Sequence, residues 1–531
     1  MIKKTKVSIL FFFLLVSGIF AQNSPFSFKF EDAPTNIAYS ASENPASNSI
    51  SAMLVQSDTI WLGTSRGLSR STDNGLTWRN YFGDPAFGSE NISAIAWDKY
   101  KGMIWVSTAH STERSGQTLP EGSGLRYSSD GGDSWTVVPQ PLDKDSDTII
   151  VYGANRLRAL PVTVSIQNIT YDIAITPGTV WIASFAGGLR KSTDLGATWQ
   201  RVILPPDFLN TIKPTDNLSF CVSPVPGKFC SEGYLNFRAF SVMATSDSVI
   251  YSGSANGINK STDGGVSWTK FNHQNQVNAM SGNFVVGLGN KPGTDEIWAA
   301  TWKAEDLAEF YGVSFSPDGG ANWFTSLYGE KVNNFAVFSD KVVAAASGGL
   351  YKSNDYGKNW FLPGNIIDSE TKLSLKTSTF YSAVWAESGT VLYAGSADGL
   401  VKNTGFIGVW PDKWELYLAS QQLESKTDSY AFPNPFSPKT EQLKIKYSTN
   451  GKELSVTIRI FDFGMNYVKT VIQSAQRGNP THVTNLEGVA GVIDYWDGKD
   501  DNGKVVPNGV YFYRIDAGSE KPLFGKIMVL Q

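Results

Sequence analysis

Hydrophobic and polar positions alternate with a period of two along most of this chain, in short runs closed by glycine, serine or aspartate. SISAMLV, NISAIAW, ITYDIAI, FSVMAT, NFVVGLG, NNFAVF and TFYSAVW are such runs. Each is followed by a second one ending in a glycine-rich turn, as in TIWLGTSRGLSR, TVWIASFAGGLR, SVIYSGSANGIN, KVVAAASGGLY and TVLYAGSADGLVK. Alternation of this kind predicts half-buried β-strands, and no apolar stripe of helical period intervenes. The unit reads strand, turn, strand, turn, strand, turn, strand. That is a four-stranded antiparallel meander, which cannot bury both of its faces alone.

The third turn of the unit is an octapeptide. It occurs as STDNGLTW (71–78), SSDGGDSW (128–135), STDLGATW (192–199), STDGGVSW (261–268), SPDGGANW (316–323) and SNDYGKNW (353–360). Successive copies start 57, 64, 69, 55 and 37 residues apart, so the shortest interval is close to a bare unit and the excess is inserted loop. A seventh unit keeps its strands but has lost the octapeptide, at Asn403. Radial packing of seven such sheets, each covering its neighbours, predicts an all-β, seven-bladed propeller. The octapeptide resembles the Asp-box of bacterial neuraminidase repeats, found in sialidases, sortilin-type receptors, xyloglucanases and photosystem-assembly propellers. That resemblance covers about residues 49–410 and implies a fold, not an activity. An aspartate that bonds turn N–H groups, a glycine at positive φ and a buried tryptophan assign structural roles to Asp73, Asp130, Asp194, Asp263, Asp318 and Asp355.

In such a blade the octapeptide shares one rim, here called the bottom, with the first turn. The second turn and the crossing to the next blade share the top. Four insertions, at residues 110–123, 139–167, 204–236 and 303–311, are then expected on the top rim, where binding sites are usually built. Arg114, Tyr152, Arg156, Arg158, Tyr234, Arg238, Glu305 and Tyr311 sit in or beside them as candidate contacts for an acidic or sugar ligand. Asp98 and Asp172, near the inner strands of blades two and three, are the carboxylate pair on which a glycosidase reading would rest. Against that reading, only Arg66 and Arg70 precede Ser71, and the Arg-Ile-Pro-like segment of sialidases is absent. Xyloglucanase-like chains carry two propellers, whereas one fits here.

Composition narrows the picture. A net charge of -4 gives no footprint for nucleic acid, and three histidines (His110, His273 and His482, read as solvated loop residues) with two cysteines offer few ligands for a metal or cofactor. No phosphate-binding glycine loop or nucleophile motif occurs. Residues 1–21 have a basic start, an apolar run of 14 residues and a small residue at the end, which predicts a secretory signal peptide. No other segment is long and apolar enough to span a membrane as a helix. In an oxidising compartment Cys221 and Cys230 are expected to form one disulfide.

Beyond residue 414 the octapeptides stop. Residues 415–429 read as a linker, and residues 430–531 as a module of alternating strands, an immunoglobulin-like sandwich. YWDGKDDNGKVVPNGVYFYRI is expected to form a hairpin, with residues 497–503 as its turn rather than a calcium loop, since Lys499 occupies a ligand place. The segments PNPF (433–436), FDFG (461–464), WDG (496–498), DNG (501–503) and NGVYF (508–512) closely resemble the FlgD-type Ig-like domain and the C-terminal sorting domains of the type IX secretion system. That resemblance implies export across an outer membrane by that machinery. The expected protein is a secreted or cell-surface, non-catalytic propeller occupying residues 22–414 that binds protein or glycan through its top rim. A secreted glycoside hydrolase is the alternative. The ring is expected to close either through SFKFE (27–31) as a latch or locally through residues 413–418.

Overall fold

The computed structural model describes residues 41–42, 44–370, 373–386, 389–405, 409–419, 429–432, 434–439, 442–449, 452–478 and 492–531. The expected signal peptide, the SFKFE segment and His482 lie outside the described residues, as does most of the linker. The described residues are almost wholly β-structure, with a single 3-10 turn at Leu235–Phe237.

Seven antiparallel sheets follow one another along the chain. Their inner strands are Ile50–Gln56, Asn91–Asp98, Thr170–Thr176, Ala239–Ala244, Phe284–Asn290, Val332–Phe338 and Phe380–Trp385. Each packs on the next and the seventh packs on the first, so the propeller ring is closed. Closure is local. Lys413–Tyr417 pairs with Gly399–Thr404 as the outer strand of the seventh blade, so the boundary expected at residue 414 falls inside a strand. The seam between the last and first blades is bridged by Asn48 Nδ2 donating to Asp398 Oδ1 (3.0 Å) and the Gly399 N–H donating to Asn48 O (2.7 Å). Two blades carry a fifth strand: Ala41–Ser42 covers the outer edge of the first and Thr211–Ile212 that of the fourth. Such cover removes an exposed ladder edge.

All seven inner strands share one irregularity, a register shift near their start. A bulge raises local twist, which a radial blade needs, but it frees a backbone carbonyl from the ladder. At several seams the preceding blade captures that carbonyl. Ser51 Oγ donates to Ile92 O (2.9 Å), Ser241 Oγ to Val285 O (3.2 Å) and Asn333 Nδ2 to Phe380 O (2.8 Å). Where this happens, the device that twists a strand also stitches it to its neighbour.

The C-terminal module is a sandwich. One sheet holds Ser429–Phe432, Leu443–Tyr447 and Val492–Trp496; the other orders Tyr467–Arg477, Leu454–Phe461, Gly509–Ala517 and Leu523–Val529. Strict alternation of burial along Leu454–Phe461 and Gly509–Ala517 gives one buried face, and Ile445, Val456, Ile458, Trp496 and Tyr513 fill the space between the sheets. The hairpin expected from YWDG to YFYRI does not form. Its two halves lie in different sheets, and the intervening chain crosses between them. Residues 497–503 do turn, capped by Asp500 Oδ1 accepting the N–H groups of Asn502 and Lys504 (both 2.9 Å). Tyr495 of this module touches the top of the first blade. Arg66 donates to its hydroxyl (2.5 Å) while lying 4.9 Å from the Phe82 ring.

Candidate ligand-binding rim

The bottom rim is occupied by its own chemistry. In the first octapeptide Ser71 Oγ donates to Asp73 Oδ1 (2.7 Å) and accepts the Gly75 N–H (2.8 Å). Asp73 Oδ1 accepts the Thr77 N–H (2.9 Å), and Asp73 Oδ2 accepts the Thr77 hydroxyl (2.6 Å). The same bonds recur at Asp130, Asp194, Asp263, Asp318 and Asp355. Hydrogen bonds from Ser134 and Thr198 hold the carboxyls of Asp130 and Asp194 below the usual range. A carboxylate whose two oxygens both bond its own turn acts as a clamp for that turn. The second glycine is needed for close approach. At Gly132 (φ 94°) an added Cβ would lie 2.5 Å from Trp61 of the preceding blade, and at Gly265 (φ 80°) 2.5 Å from Trp181.

The insertions at 139–167 and 204–236 are not open loops. They pair with each other in a separate three-stranded sheet, Ile149–Tyr152, Asn155–Ala159 and Cys221–Val222. Leu157, Ile203, Leu204, Ile212 and Phe237 are buried with them. Asp143 of the first insertion is buried against Arg190 (2.8 Å) and Arg201 (3.3 Å) of the third blade. Cys221 and Cys230 are bonded, with Cα atoms 5.7 Å apart. This packing redistributes the candidate residues. Tyr152 is not on the top rim: its hydroxyl donates to Val266 O (2.7 Å) in the octapeptide of the fourth blade, at the bottom. Arg156 is exposed on the added sheet, and Arg158 donates to Phe229 O (2.8 Å). Tyr234 is buried and donates to Glu232. Arg238 is also buried, donating to Pro224 O through Nε and Nη2 (3.0 and 2.8 Å).

The insertion at 110–123 extends a regular hairpin, Met103–Arg114 with Gln117–Ser128, and leaves Arg114 exposed at its tip. His110 is not merely solvated. Its Nδ1 lies 2.9 Å from Glu90 Oε2 and its Nε2 3.6 Å from Glu121 Oε2. Nor is His273 free, since its Nδ1 lies 2.6 Å from Met280 O.

The insertion at 303–311 leaves an accessible constellation of aromatics on the top rim. Buried Glu309 anchors it by accepting from the N–H groups of Ala304 (2.7 Å) and Asn283 (3.1 Å) and from Asn283 Nδ2 (2.9 Å). Anchoring brings Phe310 onto Tyr328 (ring centroids 4.6 Å apart) and Tyr311 onto Trp302 (6.2 Å). The ammonium of Lys331 stands 4.9 Å from the Tyr311 ring and 5.8 Å from that of Trp302. Tyr328 is 79% exposed, whereas Glu305 lies exposed on the same loop. The sequence reading found Tyr311 and Glu305 and missed Trp302, Phe310, Tyr328 and Lys331. The signal was the aromatic flanking of the loop in TWKAEDLAEFYG and of the next crossing in SLYGEK.

Inward from this platform the channel mouth is filled. Phe240 stacks on Phe284 (4.3 Å) and meets Tyr171 (5.7 Å) and Phe185 (6.0 Å), all four buried. Asp98 and Asp172 are not brought together. Asp98 ends its inner strand at the bottom, accepting the N–H groups of Tyr100 and Lys101 (2.9 and 3.1 Å). Asp172 stands at the bulge near the top of the next inner strand and accepts the Val242 N–H (2.9 Å). Four residues of strand, roughly 13 Å, separate their levels, beyond glycosidase carboxylate spacings. Burial pushes the Asp172 carboxyl up to about 7, against the hydrogen bonds from Val242 and Ile173.

No protein-family model matches the chain. Over 97 residues it is 33% identical to the oligoxyloglucan-reducing end-specific xyloglucanase of Emericella nidulans, a match covering 18% of this chain and 11% of that protein. A probable enzyme of the same description from Neosartorya fischeri is 32% identical over 96 residues, covering 17% and 10%. The chain thus matches only about a tenth of the length of these curated relatives. Among solved structures it is similar to the GH74 xyloglucanase from Xanthomonas campestris, with TM-score 0.51 and 12% identity over 93% of this chain and 75% of that one. An ancestral GH74 enzyme gives TM-score 0.50 and 15% identity over 93% and 64%. At these identities the likeness is one of fold.

Proposed function

We propose that this protein is a glycan-binding propeller that recognises a neutral β-glucan, of the xyloglucan kind, on the top rim of its fifth and sixth blades. The observation that carries the reading is the exposed aromatic platform of Tyr328, Phe310, Tyr311 and Trp302 beside Lys331. Flat aromatic faces cover the apolar face of a sugar ring, and nearby polar groups meet its hydroxyls. Binding without cleavage is supported by the octapeptide carboxylates, which are engaged by their own turns, and by the separation of Asp98 and Asp172. Calorimetric titration with xyloglucan oligosaccharides is the test. Binding should weaken about tenfold or more in Tyr328→Ala, and reducing ends should not accumulate. Unchanged affinity in Tyr328→Ala would refute the platform.

A glycoside hydrolase remains the second reading, favoured by one feature besides the xyloglucanase match. Glu90 and Glu121 bracket a single imidazole, which sets their carboxylates on the order of 5–9 Å apart, a spacing glycosidases use. Each is also tied to a serine, Ser123 (2.6 Å) and Ser165 (2.5 Å), which suits a structural clip equally well. Hydrolysis of the same oligosaccharides, lost in Glu90→Gln or Glu121→Gln, would establish this reading instead. The sandwich, by its resemblance to sorting domains, is proposed to carry the propeller through the type IX secretion system to the cell surface or medium. Removal of residues 430–531 should then leave the propeller in the periplasm, as fractionation would detect. Unaltered export would refute that role.

A further inference from the structure

One device recurs beside the octapeptides. The residue before the octapeptide serine carries a cation in four blades, and that cation covers an aromatic ring. Lys191 lies 5.2 Å from Trp181, Lys260 5.4 Å from Tyr251 and Arg70 5.6 Å from Trp61, each within its own blade. Lys352 of the sixth blade instead reaches Trp385 on the inner strand of the seventh (5.4 Å), which Lys341 also approaches (5.8 Å). Counted from the inner-strand bulge, Trp97 of the second blade occupies the same place as Trp385. There Arg70 turns away, donating to Gly131 O and lying 3.7 Å from Asp133. Among the described residues no cation lies over Trp97, which is 36% exposed.

The consequence is a cleft of about 380 Å³ on the bottom rim between the first and second blades, walled by Trp97, Trp61 and Arg70. That volume lies within the range of small-molecule sites and admits one or two sugar rings. Gln56, Thr59 and Thr72 also line it, and their side chains make no hydrogen bond to another described residue. Each can both donate and accept. Charge inside the cleft is balanced: Arg70 and Arg79 (2.8 Å) both face Asp133, and Asp130 is spent on its own turn.

We infer that this cleft is a second carbohydrate site, which takes a neutral hexopyranose ring stacked on Trp97 with its hydroxyls bonded by Gln56, Thr59 and Thr72. A bare indole beside unengaged hydroxyl and amide groups, with no uncompensated charge, suits a neutral ring bearing adjacent hydroxyls. It suits neither an anion nor a cation. The site lies on the opposite rim from the aromatic platform and stands or falls independently of it.

The test uses the full chain labelled with 5-fluorotryptophan and titrated with cellotriose, the Trp97 resonance being assigned through Trp97→Phe. That resonance should shift with a dissociation constant of about 1 mM, typical of a single small site. Thr72→Arg, at an exposed octapeptide position that tolerates Ser, Pro and Asn in the other copies, should fill the cleft and abolish the shift. Tyr328→Ala should leave the shift intact. A Trp97 resonance unmoved by cellotriose, or one that shifts equally in Thr72→Arg, would overturn the proposal. If the shift is lost in Tyr328→Ala, the cleft is not a separate site and the proposal likewise falls.

Discussion

The two rims of the ring are held by different physics. On the bottom, every octapeptide bonds its own serine and aspartate. Serine, aspartate and the N–H groups they bond lie within a span of seven residues, and closely similar distances recur in six copies. On the top, the bonds that matter join residues far apart in the chain. Asp143 meets Arg190 and Arg201; Glu309 meets Asn283; Lys270 Nζ donates to Pro206 O (3.0 Å) and Asp207 O (2.8 Å). A local clamp costs little chain entropy and can be copied with the blade. A long-range contact orders whole insertions and exists once. Repetition therefore accumulated on the bottom and individuality on the top.

The contrast is sharpest at Asp143. This carboxylate compensates Arg190, which is 2% exposed, and Arg201, which burial pushes down to about 10 despite the nearby Asp143 charge. Asp143→Ala leaves two guanidinium groups buried without a counter-charge, a loss of about 3–5 kcal/mol. Unfolding followed by hydrogen exchange should show the added sheet opening first, because residues 139–167 lose their ion pairs with the third blade. A variant with stability and exchange unchanged would mean that the apolar contacts of Leu157, Ile203 and Phe237, with the bond from Arg201 to Leu160 O (2.8 Å), suffice to fasten that insertion.

The glycine pair of the second octapeptide separates geometry from contact on the bottom rim. Both residues have positive φ, but a Cβ at Gly131 would meet only Arg70 at 3.9 Å, whereas one at Gly132 would strike Trp61 and the Tyr81 hydroxyl (2.6 Å). Gly132→Ala should cost about 2–4 kcal/mol, backbone strain plus displacement of a ring in the seam. Gly131→Ala should cost only about 1 kcal/mol, the strain alone. Equal costs, measured by denaturant unfolding, would remove the seam contact from the account.

This division also explains what the sequence disclosed. Strands, blades and ring were legible because alternation and the octapeptide are local signals repeated many times, and a single decayed copy at Asn403 does not erase the pattern. The loops were assigned to a rim from their place in the repeat, which is correct for where they leave the blade and silent on where they go. Tyr152 leaves from the top and ends at Val266 because a hairpin fastened through Asp143 runs down the outside of the ring. Likewise, no pattern in YWDGKDDNGKVV marks the point where the chain changes sheets. His110 looked solitary because Glu90 and Glu121 reach it from different connections. Of the aromatic platform, Tyr311 could be named from its loop, but Tyr328 belongs to the next crossing, and only the fold joins them.

Acidity separates the rims by sign. On the bottom, Asp263 has its carboxyl lowered overall: partial burial raises it, and the bonds from Ser267 and Ser261 outweigh that effect. A folded-state value below the unfolded one means that the unfolded chain takes up the proton first. This stabilisation is complete above about pH 4 and is lost as the pH falls through the folded value. Asp172, near the top of the channel, is raised to about 7, so the folded state keeps its proton between about pH 4 and pH 7 while the unfolded chain has released it. Its contribution therefore declines as the pH rises across that window and is level above it, by an amount on the order of 4 kcal/mol. Asp172→Asn should flatten the stability profile between pH 4 and pH 7 and leave the acid limb in place. Asp263→Ala should shallow the acid limb alone, by about 0.5–1 kcal/mol, since five sister clamps remain and its surroundings are mostly solvent. A neutral-range slope that survives Asp172→Asn would place its origin in another group and detach the channel aspartate from the folding equilibrium.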